Sequence, residues 1–171
     1  MPANKKKKKP AKKSAKKAAS KSAKVVAVPP GYGTITAGFA TNTDGNKVIE
    51  FYGKAFGAKV KGKYTAPDGS IVHCELKMGD SVLMFGSPMG GAEYTMHGMM
   101  YFKNLDAAIA KAVAAGATVK KAAEDQFYGD RTATVVDPFG NEWWFGTHVE
   151  NVAKKEMDRR MGLVMSGQPW R

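Results

Sequence analysis

The sequence predicts an α+β fold: two paired βαβββ modules forming a curved eight-stranded cup, preceded by a disordered Lys-rich N-terminal tail. Three observations carry this expectation. The positive charge collects at one end, the remainder repeats itself once, and each repeat holds a single helical pattern among short strands parted by glycine turns.

The tail comes first. The formal net charge is +12, but residues 1 to 24 hold eleven Lys and no Asp or Glu, which leaves +1 for everything else. The basic balance therefore describes the tail and not the folded part. "MPANKKKKKPAKKSAKKAASKSAK" has no large apolar side chain beyond its first Met, so it cannot build a core, and self-repulsion extends it. Lys5, Lys6, Lys7, Lys8, Lys9, Lys12, Lys13, Lys16 and Lys17 are the candidate polyanion contacts. Their affinity for nucleic acid is expected to be sequence-independent and to fall steeply with salt. The composition is similar to linker-histone and bacterial nucleoid-protein tails; a solubilising leader is the plainer alternative. Pro29 and Pro30 bar a helix at the junction. The organisation read from this is a tail and linker over 1–28, a domain over 29–152, and a charged helix or tail over 153–171.

Within the domain, Lys47 to Gly86 and Leu105 to Gly146 answer one another. Val48, Phe51, Tyr52 and Phe56 recur at helical spacing in the first, and Leu105, Ile109, Ala112 and Val113 in the second. Each helix stops at a Gly-Ala pair, Gly57 or Gly116, and Asn104 is placed to cap the second. Strands precede the helices at Thr34 to Ala40 and Gly98 to Phe102. After each helix, Asp68-Gly69 and Gly79-Asp80 are matched by Gly129-Asp130 and Gly140-Asn141, all hairpin signals. One helix over one sheet leaves an apolar face uncovered, and the two modules can cover each other. The hollow of the resulting cup is the expected ligand site.

The totals exclude several classes. A lone cysteine, Cys74, forms no internal disulfide, which fits a reducing compartment, and no apolar run approaches the roughly 20 residues of a membrane span. A cytoplasmic location is expected, nucleoid-associated if the tail is functional, and no membrane partner. Phosphate-loop, Rossmann, CxxC and nucleophile-elbow motifs are absent.

The blocks "PGYGTIT", "IEFYGKAFGAK", "HCELKMGDSVLM", "DAAIAKAVAAGATV", "EDQFYGDR" and "DPFGNEWWFGTH" together resemble the vicinal oxygen chelate superfamily, the glyoxalase and bleomycin-resistance fold, and within it the PhnB-like branch. The resemblance runs from about Pro29 to Val152. It implies a metal or small-molecule site inside the cup and a homodimer. Metal-dependent relatives use four side chains, and the resemblance places those positions at Thr36, Glu75, His97 and Trp144. Only Glu75 and His97 are donors suited to a divalent ion. No cofactor is expected, with a divalent metal at Glu75 and His97 as the alternative. His73, two residues from Glu75, is expected to need a bend in its strand to help.

Glu75 and His97 are also the catalytic candidates. A lone carboxylate in a cavity would have a raised pKa and serve as general base. Alternation in "NEWWFG" sets Trp143 and Phe145 on one face and Trp144 on the other, one face for the core and one for the cup. Trp144 then replaces a metal ligand by a flat apolar wall. Trp143, Tyr128 and Arg131 complete the ligand-binding candidates, Tyr128 and Arg131 at the mouth and Arg131 as partner for a carboxylate or phosphate. The methionines, Met78, Met84, Met89 and Met96 among them, suit an adaptable pocket or dimer seam, with core packing as the plain alternative. The C-terminal segment, with Val152, Met157 and Met161 roughly on one side, is expected to lie over a partner subunit or to fray.

Three functions follow as expectations: a binding protein for a small, partly apolar or aromatic molecule; a metal-dependent lyase, isomerase or dioxygenase; and a nucleoid-associated protein using its tail. The first is preferred.

Overall fold

The computed structural model describes residues 25–171, so the nine tail lysines named above lie outside the described residues. The elements run β1 (Ala37–Ala40), α1 (Gly45–Phe56), β2 (Lys59–Thr65), β3 (Ile71–Met78), β4 (Ser81–Gly86), β5 (His97–Tyr101), α2 (Leu105–Ala114), β6 (Thr118–Asp125), β7 (Asp130–Val136), β8 (Glu142–His148) and α3 (Lys154–Met165). This is the expected α+β pair of βαβββ modules. All four glycine turns join hairpins, with Gly69, Gly79, Gly129 and Gly140 at positive φ.

Each module forms its own sheet, ordered β1-β4-β3-β2 and β5-β8-β7-β6. Only the first strand of each pairs parallel, β1 with β4 and β5 with β8. No ladder joins the two sheets among the described residues; what the modules share is the core between them. The helices supply it. Asp44 caps α1 through the Asn46 N–H, Gly57 ends it in the left-handed conformation, and Asn104 caps α2 through the Ala107 N–H at 2.9 Å. The aromatic face of α1 reaches both sheets: Tyr52 packs on Phe39 of β1 and on Trp143 of β8, and Phe56 meets Phe145 edge-on at 5.7 Å. Such ring pairs contribute about 0.5–1.5 kcal/mol each beyond their burial.

Two expected details shift. Val113 is exposed, because Ala112 and Ala108 are the residues of α2 turned inward. Strand β1 begins at Ala37 rather than Thr34, and Ile35 before it stands exposed. Its parallel pairing with β4 opens at Ala37 opposite Leu83, and the residues before Ala37 join no ladder.

The shared core fixes which strand faces remain open. Cys74, Leu76 and Phe85 point inward from the first sheet, and Ala133, Val135, Trp143 and Phe145 from the second. By alternation, Glu75 and His73 in β3 and Glu142, Trp144 and His148 in β8 stand on the opposite faces.

Candidate functional site

Glu75 sits on the open face of the first sheet, in a recess also lined by Tyr32, Thr36 and Met84. Its carboxylate is already engaged. The Tyr32 hydroxyl donates to Oε2, the Lys61 ammonium stands 3.4 Å from the same oxygen, and His73 Nε2 lies 3.6 Å from Oε1. The Lys61 ammonium also lies 3.4 Å from the centre of the Tyr32 ring. This corrects two expectations. The Glu75 carboxyl is held below its usual range, chiefly by the Tyr32 hydroxyl with Lys61 assisting, not raised by burial. His73 reaches Glu75 without a special bend, since the pleat sets residues i and i+2 on one face.

His97 opens β5 on the second sheet, in register opposite Glu142. The Glu75 contacts all come from the first module, so the two catalytic candidates stand on different sheets with separate partners. The four ligand positions divide in the same way: Glu75 on the first sheet with Thr36 beside it just before β1, His97 and Trp144 on the second. Among the described residues no three His, Cys, Asp or Glu side chains converge as a metal-holding group. The donor chemistry does not fit a divalent ion either: beside Glu75 stands an ammonium, which a cation would have to displace, and an indole occupies the fourth position.

The two tryptophans part as alternation requires. Trp144 is 54% exposed on the open face, whereas Trp143 is 4% exposed and belongs to the core, where its indole N–H donates to Asp137 at 3.1 Å. Trp143 therefore faces no ligand. Trp144 lines a hollow of about 350 Å³ with Tyr128, Met99, Thr132, Thr134 and Glu142. Its indole N–H points to Glu142 at 3.4 Å, and that carboxyl is held below its ordinary range by Lys120. With Lys121 and Gln126 also in its lining, the hollow offers a ring face, a phenol, a thioether and a few hydroxyl, amide, ammonium and carboxylate groups, the mix that orients a small molecule on an apolar platform. A larger recess of about 750 Å³ lies on the first sheet, where Thr36, His73, Ser87, Met89 and Tyr94 stand beside small and apolar residues of β1 and β4. It brings together fewer orienting side chains.

Arg131 is not at the mouth of the Trp144 hollow. Next to Asp130 but on the opposite, helix-facing side of β7, it pairs with Asp125 at 3.2 Å and with Asp106 of α2 at 3.6 Å. Both its partners are carboxylates of this chain, so it is already spent as an anion receptor.

Sequence reasoning missed a cluster at the other end of the same open face. Asp130, 5% exposed, accepts from the Tyr101 hydroxyl at 2.8 Å and contacts His148 Nδ1 at 2.6 Å; the other His148 nitrogen lies 3.0 Å from Asn151 Oδ1. The signal was present, because Asp130 and His148 are equidistant from Phe139 in the turn, the spacing that sets them opposite each other on paired strands. Tyr32 and Lys61 carried no such signal.

A duplicated βαβββ unit, each copy with its own four-stranded sheet and the two sharing one core, defines the fold class. The chain belongs to the Glyoxalase/Bleomycin resistance protein/Dioxygenase superfamily, whose family model matches residues 34–145. An uncharacterised protein of Mycobacterium bovis is 34% identical over 138 residues, covering 72% of this chain and 90% of the relative. Among solved structures, TioX from Micromonospora sp. ML1 shares 22% identity at a TM-score of 0.59, covering 67% of this chain and 98% of that one, which speaks to the fold alone. A gene product of Arabidopsis thaliana shares 25% identity at a TM-score of 0.55 over 67% of this chain and 98% of its own. Among the described residues no helix is long and apolar enough to cross a membrane.

Proposed function

We propose that this chain is a PhnB-like member of its superfamily that binds a small, partly apolar or aromatic molecule by stacking on Trp144, without a working metal centre. The observation that carries the reading is the exposed Trp144 ring at the floor of a hollow walled by Tyr128 and Met99 and edged by Thr132, Thr134 and Glu142. Contiguous exposed apolar side chains mark binding surfaces, and Trp144, Tyr128 and Met99 are exposed together around this hollow. The mixed edge suits a ligand with one or two polar substituents. The PhnB-like placement is supported by the order of the sequence blocks from "PGYGTIT" to "DPFGNEWWFGTH".

The test is titration with neutral aromatic probes, beginning with N-phenyl-1-naphthylamine, whose emission rises in an apolar site. Saturable binding that Trp144→Ala abolishes supports the reading. Binding that the substitution leaves untouched refutes it. The same protein in sedimentation equilibrium tests the homodimer that belongs to this proposal.

A second reading rests on a different observation, the eleven Lys without an acid in residues 1 to 24. In it the N-terminal segment contacts nucleic acid non-specifically, independently of the hollow. Full-length and 25–171 forms titrated with duplex DNA at several salt concentrations decide it. Affinity that falls with salt and vanishes without the first 24 residues supports the reading, and equal affinity of both forms overturns it.

A further inference from the structure

The family match ends at residue 145, yet the chain continues into a helix with a purpose in the structure. The turn between β6 and β7 carries Gln126 and Tyr128, two walls of the Trp144 hollow. The C-terminal segment grips this turn repeatedly. The Val149 and Glu150 N–H groups both donate to the Gly129 carbonyl at 2.9 Å. A side chain at Gly129, where φ is +98°, would collide with the Glu150 carbonyl, so the two segments lie backbone to backbone. Arg160 of α3, 9% exposed, donates to the Phe127 carbonyl at 3.3 Å. Its guanidinium is itself fixed, by Glu150 through two bonds of 2.9 and 2.6 Å and by Glu156 at 2.7 Å, under the Trp170 ring. Arg171 closes on Asp125 at 2.6 Å, on the other flank of the turn. Phe127 in turn meets the Tyr128 ring edge-on at 5.2 Å.

We infer that the C-terminal segment, residues 149–171, is a built-in positioning element of the ligand hollow, with Arg160 as the positioning residue that holds the Phe127 carbonyl and thereby sets Tyr128 as a fixed wall. The inference rests on the reading that ligand binds at Trp144. A short turn tipped by a tyrosine loses conformational freedom when ligand packs on it, and a turn ordered beforehand loses less. A planar guanidinium held by carboxylates on two sides is suited to this, because its direction is set before it meets the carbonyl. Selectivity for ligand shape in this chain then comes in part from outside the family domain.

The experiment uses the full chain and N-phenyl-1-naphthylamine, with Trp144→Ala, Tyr128→Ala, Arg160→Gln and the double variant Tyr128→Ala/Arg160→Gln. The expected result is loss of binding in Trp144→Ala, about tenfold weaker binding in Arg160→Gln, and a double variant no weaker than Tyr128→Ala alone, since coupled sites do not add. Amide exchange at 126–130 should quicken in Arg160→Gln. Probe affinity of Arg160→Gln within about twofold of the parent, or full additivity with Tyr128→Ala, overturns the inference while leaving the Trp144 reading intact. Unchanged binding by Trp144→Ala overturns both. Should Arg160→Gln fold poorly, Glu150→Gln, which loosens the guanidinium without removing it, is read by the same criteria.

Discussion

The Tyr52 hydroxyl of α1 donates to Asp137 Oδ2 at 2.5 Å, joining the first module to the second through a carboxylate that is itself buried. Asp137 also accepts from Trp143 Nε1 at 3.1 Å, from Asn141 Nδ2 at 2.9 Å, and from the Phe139 and Asn141 backbone N–H groups at 2.9 Å. Asn141 passes the connection on, accepting the Met96 N–H at 3.0 Å just before β5. Burial and the neighbouring carboxylate push the Tyr52 phenol well above its ordinary range, so it stays a donor at any ordinary pH.

Removing the two partners should therefore have unequal costs. Tyr52→Phe takes one of five donors from Asp137 and is expected to cost about 1–2 kcal/mol. Asp137→Ala strands the Tyr52, Asn141 and Trp143 donors together and should cost at least about 3 kcal/mol. Urea unfolding monitored by circular dichroism measures both, and equal losses would contradict this account of the seam.

The adjacent tryptophans should separate stability from binding. Trp143→Ala opens a cavity against Tyr52 and Phe56 and is expected to cost about 3–5 kcal/mol. Trp144→Ala removes an exposed ring and should shift stability by no more than about 0.5 kcal/mol while abolishing probe binding. Denaturation midpoints together with a probe titration check the pair.

His148 should give a pH signature. Its imidazole is held above its ordinary range, first by the Asp130 carboxylate and then by Asn151, with the Tyr101 hydroxyl on the same carboxylate. A folded-state value above the unfolded one, about 6.5, means the stabilisation is complete below that pH and is lost as pH rises through the folded value. The difference in unfolding midpoint between the parent and His148→Gln should accordingly be largest in mild acid and shrink toward alkaline pH. A difference that grows with pH would reverse the assignment.

Metal removal should be silent. Lys61 and Tyr32 both engage Oε2 of Glu75, an ammonium stands where a cation would have to enter, and Trp144 supplies no donor, so dialysis against EDTA should leave the thermal midpoint and probe affinity unchanged. Elemental analysis of the purified protein that finds a stoichiometric transition metal surviving that dialysis would contradict it.

Much of the local structure was legible because the rules behind it are local. The four glycine turns, the Asn104 cap, the Gly57 stop and the inward set Val48, Phe51 and Tyr52 depend on a few neighbouring residues each. The split between Trp143 and Trp144 needed only the two-residue period of a strand. The chain by itself thus determined the duplicated modules, their turns, and which aromatic faces which side. Tertiary structure decided what each polar side chain meets. Tyr32 and Lys61 come to Glu75 from distant positions, Arg131 turns to Asp106 instead of the hollow, and α3 folds back on the Tyr128 turn. The physical reason is that hydrogen bonds and ion pairs act over a few ångströms between groups far apart in sequence, whereas turns, caps and periodicity are written into adjacent residues.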